Sequence, residues 1–438
     1  MTRSSRTEVD VRRRVVVVGI GVAAPNGIGI PEFRDALRSG SSGVRFLPEL
    51  AKLGFGCQVG GVPQITEAHE EQYFTPLERK TIHASGIRYG VIAASEAWAN
   101  ARLPLPEGPE AEPDWESGCV FGSGVAGAEV MRDAAYLIDE GRVKRLGSSA
   151  VTQVMASGIS AYIGGRLGLG NQVMSNASAC STGTESLLLG AERIRSGAAR
   201  RMICGATDST GPHAWGGFDA MRVTNRKHND RPEAASRPMS ATASGFVPGG
   251  GAAALVLEEL GSARERGATI LAEFLGGHSN SGGQRSGGSM TAPNVSAIRR
   301  CLTRAMDEAG VAPEQIDAIS GHLTATLFDP IEIEQWTEVL GRRGTDFPWV
   351  NSLKSLIGHC LSAAGAIESV ASVLQLTDGF LHPSINCEDL HPEIAARIDS
   401  GRVPRNCMDA PIQVVAKTSF GFGDVNSCVF FRRYEATT

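Results

Sequence analysis

Apolar positions along the chain fall into short unbroken runs, separated by longer stretches in which apolar residues recur every three or four places. Val15-Val16-Val17-Val18 is the first run, and others lie at residues 118–121, 201–204, 252–257, 316–319 and 413–416. Unbroken runs of this length read as strands buried on both faces. Helical spacing predicts helices over 185–195, 296–309 and 362–376. Strands alternating with helices predict an α/β protein.

The first run leads into Gly19-Ile20-Gly21-Val22-Ala23-Ala24, which has the spacing of a dinucleotide-binding fingerprint. That fingerprint works only where a helix begins inside it and aims its amides at pyrophosphate. Here Pro25-Asn26-Gly27 continues a turn and the helix signal starts at Pro31-Glu32-Phe33, so nucleotide binding is disfavoured. Residues 261–267 are short, charged and glycine-flanked, and separate one strand-like run from Ala268-Thr269-Ile270-Leu271. This sets the expected organisation: a flexible segment over 1–14, one half over 15–262 and a second over 263–438.

At 438 residues the chain exceeds the roughly 250–300 over which single cores stop growing, which agrees with two halves and room for a deep site. The net charge of −5 argues against a nucleic-acid protein. Nine cysteines, without CxxC pairs or a Cys/His cluster at zinc spacing, suggest neither a disulfide framework nor a metal site. The polar, arginine-rich start lacks a signal-peptide pattern, and no apolar run approaches the roughly 18 residues that span a bilayer. A soluble protein in a reduced, cytoplasmic setting, away from membranes, is expected.

Cys180 lies in Ser178-Ala179-Cys180-Ser181-Thr182-Gly183-Thr184-Glu185, after a polar turn and before Leu187-Leu188-Leu189. This predicts a cysteine at a helix N-terminus, where the dipole and free amides favour a thiolate and lower its pKa, with Thr182 and Glu185 at capping-box spacing. A small core residue is the alternative. His322 follows the 316–319 run in Gly321-His322-Leu323-Thr324-Ala325-Thr326, and His359 closes Lys354-Ser355-Leu356-Ile357-Gly358-His359 ahead of a predicted helix. A single histidine in such a setting is more often structural; two Gly-His dipeptides in a chain with a helix-capping cysteine suggest cysteine-based acyl transfer.

The segments around Cys180, the trio His322, Thr324 and Thr326, the stretch from Lys354 to His359, and Lys417-Thr418-Ser419-Phe420-Gly421-Phe422-Gly423 together resemble the elongating β-ketoacyl-[acyl carrier protein] synthases of fatty-acid and type II polyketide synthesis. The likeness runs from about Val15 to Phe431. It implies a thiolase-type fold of two similar halves layered αβαβα, usually dimeric. It implies that Cys180 carries the acyl group while His322 and His359 stabilise the enolate formed when a malonyl unit loses carbon dioxide. The backbone amides of Cys180 and Phe420 would form the oxyanion site, and Phe420, Gly421 and Asp424 belong to the loop whose first phenylalanine gates the acyl pocket. Lys354 and Glu368 match supporting residues, with solvated positions as the alternative. Thr324 and Thr326 match hydroxyls that bind the phosphopantetheine arm, or else cap a turn. Arg79, Lys80 and Arg222 match a basic entrance for an acidic carrier protein. No permanently bound cofactor is implied: substrates arrive on the phosphopantetheine of acyl carrier protein, and the assembly is a homodimer or a heterodimer with a chain-length subunit.

Departures from the family pattern bear on substrate. Asp424 stands where glycine is usual, and is either a gate-biasing carboxylate or a solvent-facing turn residue. The stretch from His322 to Asp329 is one residue short, Leu323 replaces a common glycine, and Gly250 replaces a common glutamate. A specialised polyketide or polyene pathway is therefore as open as fatty-acid synthesis. Rival readings are a non-catalytic chain-length subunit, against which the intact Cys180, His322 and His359 argue, and a degradative thiolase, which needs a second cysteine in a Cys-Gly setting where this chain has Cys428-Val429.

Overall fold

The computed structural model describes residues 13–435, so the 1–14 segment lies outside the described residues except for Arg13 and Arg14. In the first half, strands β1 (Val15–Ala24), β2 (Ser117–Ser123), β3 (Val173–Met174), β4 (Arg201–Asp208) and β5 (Gly251–Glu259) are ordered β3-β2-β4-β5-β1. In the second, β6 (Ala272–Ser281), β7 (Ala318–Ser320), β8 (Trp349–Asn351), β9 (Val414–Gly421) and β10 (Val425–Arg433) are ordered β8-β7-β9-β10-β6. The order and direction of pairing repeat: two parallel pairs, then two antiparallel ones. A three-residue antiparallel contact of Val15–Val17 with Ala272–Phe274 joins the halves into one sheet path.

The helices repeat as well. α1 (Ser85–Asn100), α2 (Gly158–Leu167) and α3 (Thr182–Arg195) precede β2, β3 and β4, as α4 (Val295–Ala309), α5 (Asp329–Leu340) and α6 (Ala364–Asp378) precede β7, β8 and β9. One core packs α1 and α2 against the first half-sheet, and another packs α4 and α5 against the second. The largest core holds α3 and α6 between the two half-sheets. These five layers form the expected αβαβα arrangement of two similar halves. Position decides composition: α6 is buried on every side from Ala364 to Leu376, whereas α4 buries only the stripe Ala297, Ile298, Cys301, Leu302, Ala305 and Met306.

Every predicted run lies on or next to a strand, and the predicted helices start within three residues of the observed ones. The run Ala268 to Leu271 only leads into β6, whose own residues include Gly276-Gly277 and a polar end, and so lack a strand signature. The position taken as the boundary, residue 262, lies within a short helix, Leu260–Glu265, linking β5 to β6. Among the described residues no helix is long and apolar enough to cross a membrane.

The glycines of the false fingerprint have a packing role. Gly19 and Gly21 lie inside β1, where a Cβ would sit 2.2 Å from the Ala97 carbonyl oxygen and 2.1 Å from that of Ala93, both on α1. Only a residue without a Cβ lets the helix lie this close to the strand. Gly21→Ala is predicted to lower stability by about 1–3 kcal/mol in urea unfolding, by overpacking; an unchanged midpoint would show that α1 yields freely.

Candidate active site

The chain reaches Cys180 through a tight turn in which Ala179 has φ 47°. The Ser181 amide donates to the Ser178 carbonyl at 3.0 Å and the Thr182 amide to that of Ala179 at 3.2 Å, and α3 starts at Thr182. Cys180 is therefore just outside the helix. The capping box expected from Thr182 and Glu185 does not form. The Thr182 hydroxyl donates to the Ala179 carbonyl at 2.7 Å, and the Glu185 carboxylate accepts from the hydroxyls of Ser178 and Ser279, the latter across on β6.

His322 follows the end of β7. Its amide donates to Glu332 Oε1 at 2.8 Å and Thr418 Oγ1 at 3.1 Å, while the Leu323 amide donates to Glu332 Oε2 at 2.8 Å. Glu332, in the first turn of α5, thus fixes the backbone that carries the imidazole. His359 is clamped by its own amide on the Val247 carbonyl at 2.7 Å and the Gly249 amide on its carbonyl at 2.9 Å. The Leu361 amide donates to His359 Nδ1 at 3.2 Å, which places the ring proton on Nε2. That nitrogen is 3.2 Å from Cys180 Sγ.

The two imidazoles meet edge to face with centroids 5.4 Å apart, and Phe246 and Phe420 flank them at 5.3 and 5.8 Å. Burial first, then the Lys354 charge, hold both histidines well below their ordinary pKa, so they are neutral. The cysteine departs from expectation. Burial pushes its thiol up to about 11, although the Lys354 charge and a hydrogen bond from the Phe422 amide pull the other way. The expected lowering fails because desolvation around the sulfur penalises the charged form by more than the nearby cation and amide favour it. The amide at the sulfur is also not that of Phe420 but of Phe422, two residues on.

Lys354 and Glu368, 1% exposed each, form an ion pair, and Lys417 Nζ lies 2.8 Å from the second Glu368 oxygen. Neither is solvated. Burial lowers the Lys417 pKa. Asp424 is also buried, with φ 63°; Oδ1 accepts from the Asn294 amide at 2.8 Å and Oδ2 from that of Gln284 at 3.0 Å, so it is not a solvent-facing turn residue.

Cys180, His322, His359, Thr324, Thr326, Phe420, Gly421 and Arg222 all line one cavity of about 760 Å³. The Thr324 and Thr326 hydroxyls are 3.0 Å apart, and the buried Asp329 carboxylate accepts the Thr324 and Ala325 amides at 2.8 and 3.0 Å. Arg79 and Lys80 do not line it: they sit on helix Pro76–Thr81, where Arg79 is 3.9 Å from Glu71. The sequence reading missed Glu332, Asp329, Asp208, Lys417 and Phe422. Lys417 and Phe422 stand inside the quoted C-terminal motif, and a lysine within an apolar strand run was a usable signal; the acidic residues had none.

Ligand atoms of Cys180, His322 and His359 lie within 4.8 Å of one another, a spacing a metal ion could bridge. The Leu361 amide at Nδ1 keeps His359 Nε2 protonated, however, so it offers a donor to the sulfur and no lone pair to a metal. The trio suits a nucleophile beside a hydrogen-bond donor, with a second imidazole next to it.

The family model described as beta-ketoacyl synthase, N-terminal domain, matches residues 12–263, and its C-terminal counterpart matches 271–388. The chain is 32% identical to 3-oxoacyl-[acyl-carrier-protein] synthase I, chloroplastic, of Arabidopsis thaliana, over 98% of this chain and 89% of that protein. Among solved structures, a ketosynthase complex with a type II polyketide acyl-carrier protein matches with TM-score 0.84 at 29% identity, over 97% of this chain and all of that one. The ishigamide ketosynthase/chain length factor matches with TM-score 0.84 at 28% identity, with the same coverage.

A thiol raised to about 11 is protonated at neutral pH. Alkylation of Cys180 by iodoacetamide, followed by mass spectrometry, is predicted to be slow at neutral pH and still rising with pH beyond the ordinary thiol value of about 8.5. A plateau below that value would show a thiolate already formed at rest.

Proposed function

The chain belongs to the beta-ketoacyl synthase family, and from that premise we propose that it condenses malonyl-[acyl carrier protein] with an acyl group held on Cys180, extending the chain by two carbons. The single observation that carries this reading is the donor geometry: a cysteine Sγ 3.2 Å from a histidine Nε2 whose tautomer is set by a backbone amide, with a second neutral imidazole alongside.

In the first half-reaction Cys180 Sγ attacks the thioester carbonyl of acyl-carrier. The amides of Cys180 and Phe422 face the negative oxygen that develops, the carrier thiolate leaves, and the cysteine proton ends on it. In the second, malonyl-carrier loses carbon dioxide, leaving negative charge on its thioester oxygen. Neutral His322 and His359 supply N–H donors there, in a buried setting where such bonds count most. The carbanion carbon then forms the new bond to the acyl-cysteine carbonyl and expels the Cys180 thiolate. Thr324 and Thr326 hydroxyls serve the pantetheine arm along the cavity, and Lys354 and Glu368 act through the charge they hold beneath the histidines. Phe420 and Gly421 wall the pocket. Asp424 holds the loop that carries Phe422, which restricts the acyl groups admitted.

A degradative thiolase reading has no support. Cys428, the candidate second cysteine, is fully buried within β10 and does not line the cavity. The similar structures, one a ketosynthase with its acyl-carrier protein and one a ketosynthase/chain length factor, support a carrier-protein partner and a chain-length subunit; a like partner is the alternative. On this chain, Met131, Tyr136, Ile138, Val143 and Val151 are exposed between β2 and β3, and β3 is an open sheet edge. A second subunit covering this surface fits both. The boundary between halves is proposed at the Leu260–Glu265 helix, the docking of carrier at Arg222, Arg79 and Lys80, and a cytoplasmic setting without permanent cofactor.

Two outcomes test the reading. Cys180→Ala should abolish acyl loading from an acyl-carrier substrate, whereas His322→Ala or His359→Ala should still load and lose condensation by roughly 10²–10³; full condensation by Cys180→Ala would end the mechanism. Arg222→Glu should raise the KM for carrier substrates with little change in kcat, more at low ionic strength. An unchanged KM at low salt would remove Arg222 from the docking site.

A further inference from the structure

Asp208, the last residue of β4, is 2% exposed and lines the catalytic cavity, yet nothing in the reaction uses it. Its Oδ1 accepts the amides of Val125 at 3.0 Å and of its neighbour Ser209 at 3.1 Å. Its Oδ2 accepts the amide of Ser362 at 3.0 Å, and the Ser362 hydroxyl also bonds the carboxylate. Gly124 makes room for this: a Cβ there would sit 2.5 Å from Ser362 Oγ and 3.0 Å from Asp208 Oδ2.

What the carboxylate holds is the turn that carries His359. Leu361, between His359 and Ser362, has φ 51°, a left-handed conformation that a bulky residue rarely adopts and that persists only where its surroundings enforce it. In this conformation the Leu361 amide turns back onto His359 Nδ1 at 3.2 Å. The next amide, that of Ser362, opens the short helical turn Leu361–Ala363 ahead of α6, and lacks a partner within the helix. A carboxylate is the strongest acceptor for such an amide, and is favoured at a helix start.

We propose that Asp208 is a positioning residue: by fixing the Ser362 amide it keeps Leu361 left-handed, which keeps the Leu361 amide on His359 Nδ1 and so aims Nε2–H at Cys180. The chain of contacts runs from one strand end to the imidazole without touching substrate. Remove the carboxylate and Leu361 relaxes toward ordinary backbone angles, its amide leaves Nδ1, and the ring is free to carry its proton on either nitrogen. The inference rests on the role proposed for His359 only for its effect on rate. The tautomer itself is read without activity, so failure of the condensing reading and failure of this inference are separable.

The experiment is ¹⁵N spectroscopy of full-length protein labelled at histidine, with the His359 signals assigned by their loss in His359→Asn. The parent should show Nε2 protonated and Nδ1 as acceptor, and Asp208→Asn should show the Nδ1-protonated form or a mixture. Asp208→Asn should also lower kcat for condensation, on the order of 10²-fold for a misaimed group, with a much smaller change in acyl loading and in the carrier KM. Adding Leu361→Gly to Asp208→Asn should restore the Nε2-protonated signal, because glycine holds the left-handed turn without help. A parent spectrum with Nδ1 protonated overturns the proposal, and needs no variant to fold. So does an Asp208→Asn protein with the parent's tautomer. If Asp208→Asn does not fold, the double variant carries the decision, and a mixed tautomer there overturns the proposal as well.

Discussion

Two buried helices, one from each half, touch at their N-terminal ends, and the site is registered from that contact. Gly183 and Gly365 are the second residues of α3 and α6. A Cβ on Gly183 would lie 2.5 Å from the Ala366 nitrogen, and one on Gly365 would lie 2.4 Å from Thr184 Oγ1 and 2.7 Å from the Thr184 nitrogen. Backbone therefore packs on backbone, and the turns that precede the helices are brought together. One turn ends in Cys180 and the other begins at His359. Each half contributes one turn, and neither could form the pair alone.

The same packing removes water, which makes charge the second constraint. Lys354, Lys417 and Glu368 sit beneath the imidazoles with no more than 1% exposure, two cations on one carboxylate. Buried ion pairs are poor stabilisers, because desolvation offsets most of their attraction, and removing one partner typically costs about 3–5 kcal/mol. Their effect on the site is easier to see than any gain in stability. The Lys354 charge adds to burial in disfavouring protonation of both histidines. The rings are thereby neutral donors, suited to an oxygen that becomes negative, and not acids. On Cys180 the two effects oppose each other: burial raises its thiol pKa and the Lys354 charge lowers it, and burial prevails.

Much of this was legible in sequence because short-range rules governed it. Apolar runs marked β1, β2, β4, β5, β7 and β9, since strands buried on both faces must be apolar throughout. Three of the missed strands are ones on which that rule acts weakly: the edge pieces Val173–Met174 and Trp349–Asn351 are only two and three residues long, and β6 carries glycines where its backbone bulges against β10 between Phe430 and Phe431. β10 was missed as well, although its Cys428-Val429-Phe430-Phe431 is a fully buried apolar run. Cys180, His322 and His359 were found through their local motifs, and they do share the cavity. Glu332, Asp329 and Asp208 were not found, because each acts by accepting backbone amides: Asp208 from remote segments, Asp329 from the nearby Thr324 and Ala325 and the remote Met239, and Glu332 from His322 and Leu323 across a turn. A buried carboxylate that serves a backbone has no local signature; only the topology says which amides reach it.

The slip from Phe422 to Phe420 has a similar cause and shows where a motif stops being informative. Both phenylalanines occur in one glycine-spaced string, and nothing local distinguishes their amides. In the fold they differ in kind. Phe420 is still inside the β9–β10 pairing, opposite Asn426, and its ring stands against His322. Pairing ends at Gly421 with Val425, and Phe422 lies in the turn beyond it. An amide outside the ladder has no strand partner and is available to the sulfur, which is where the Phe422 amide is found. Gly421, at that junction, would place a Cβ 3.1 Å from the Cys180 amide, so the strand end and the cysteine turn are already in contact there. Where the ladder stops is set by Asp424, whose carboxylate takes amides from residues 284 and 294 and holds the turn in its left-handed path. A residue that departs from the family pattern thus holds the turn that presents the Phe422 amide to the cysteine.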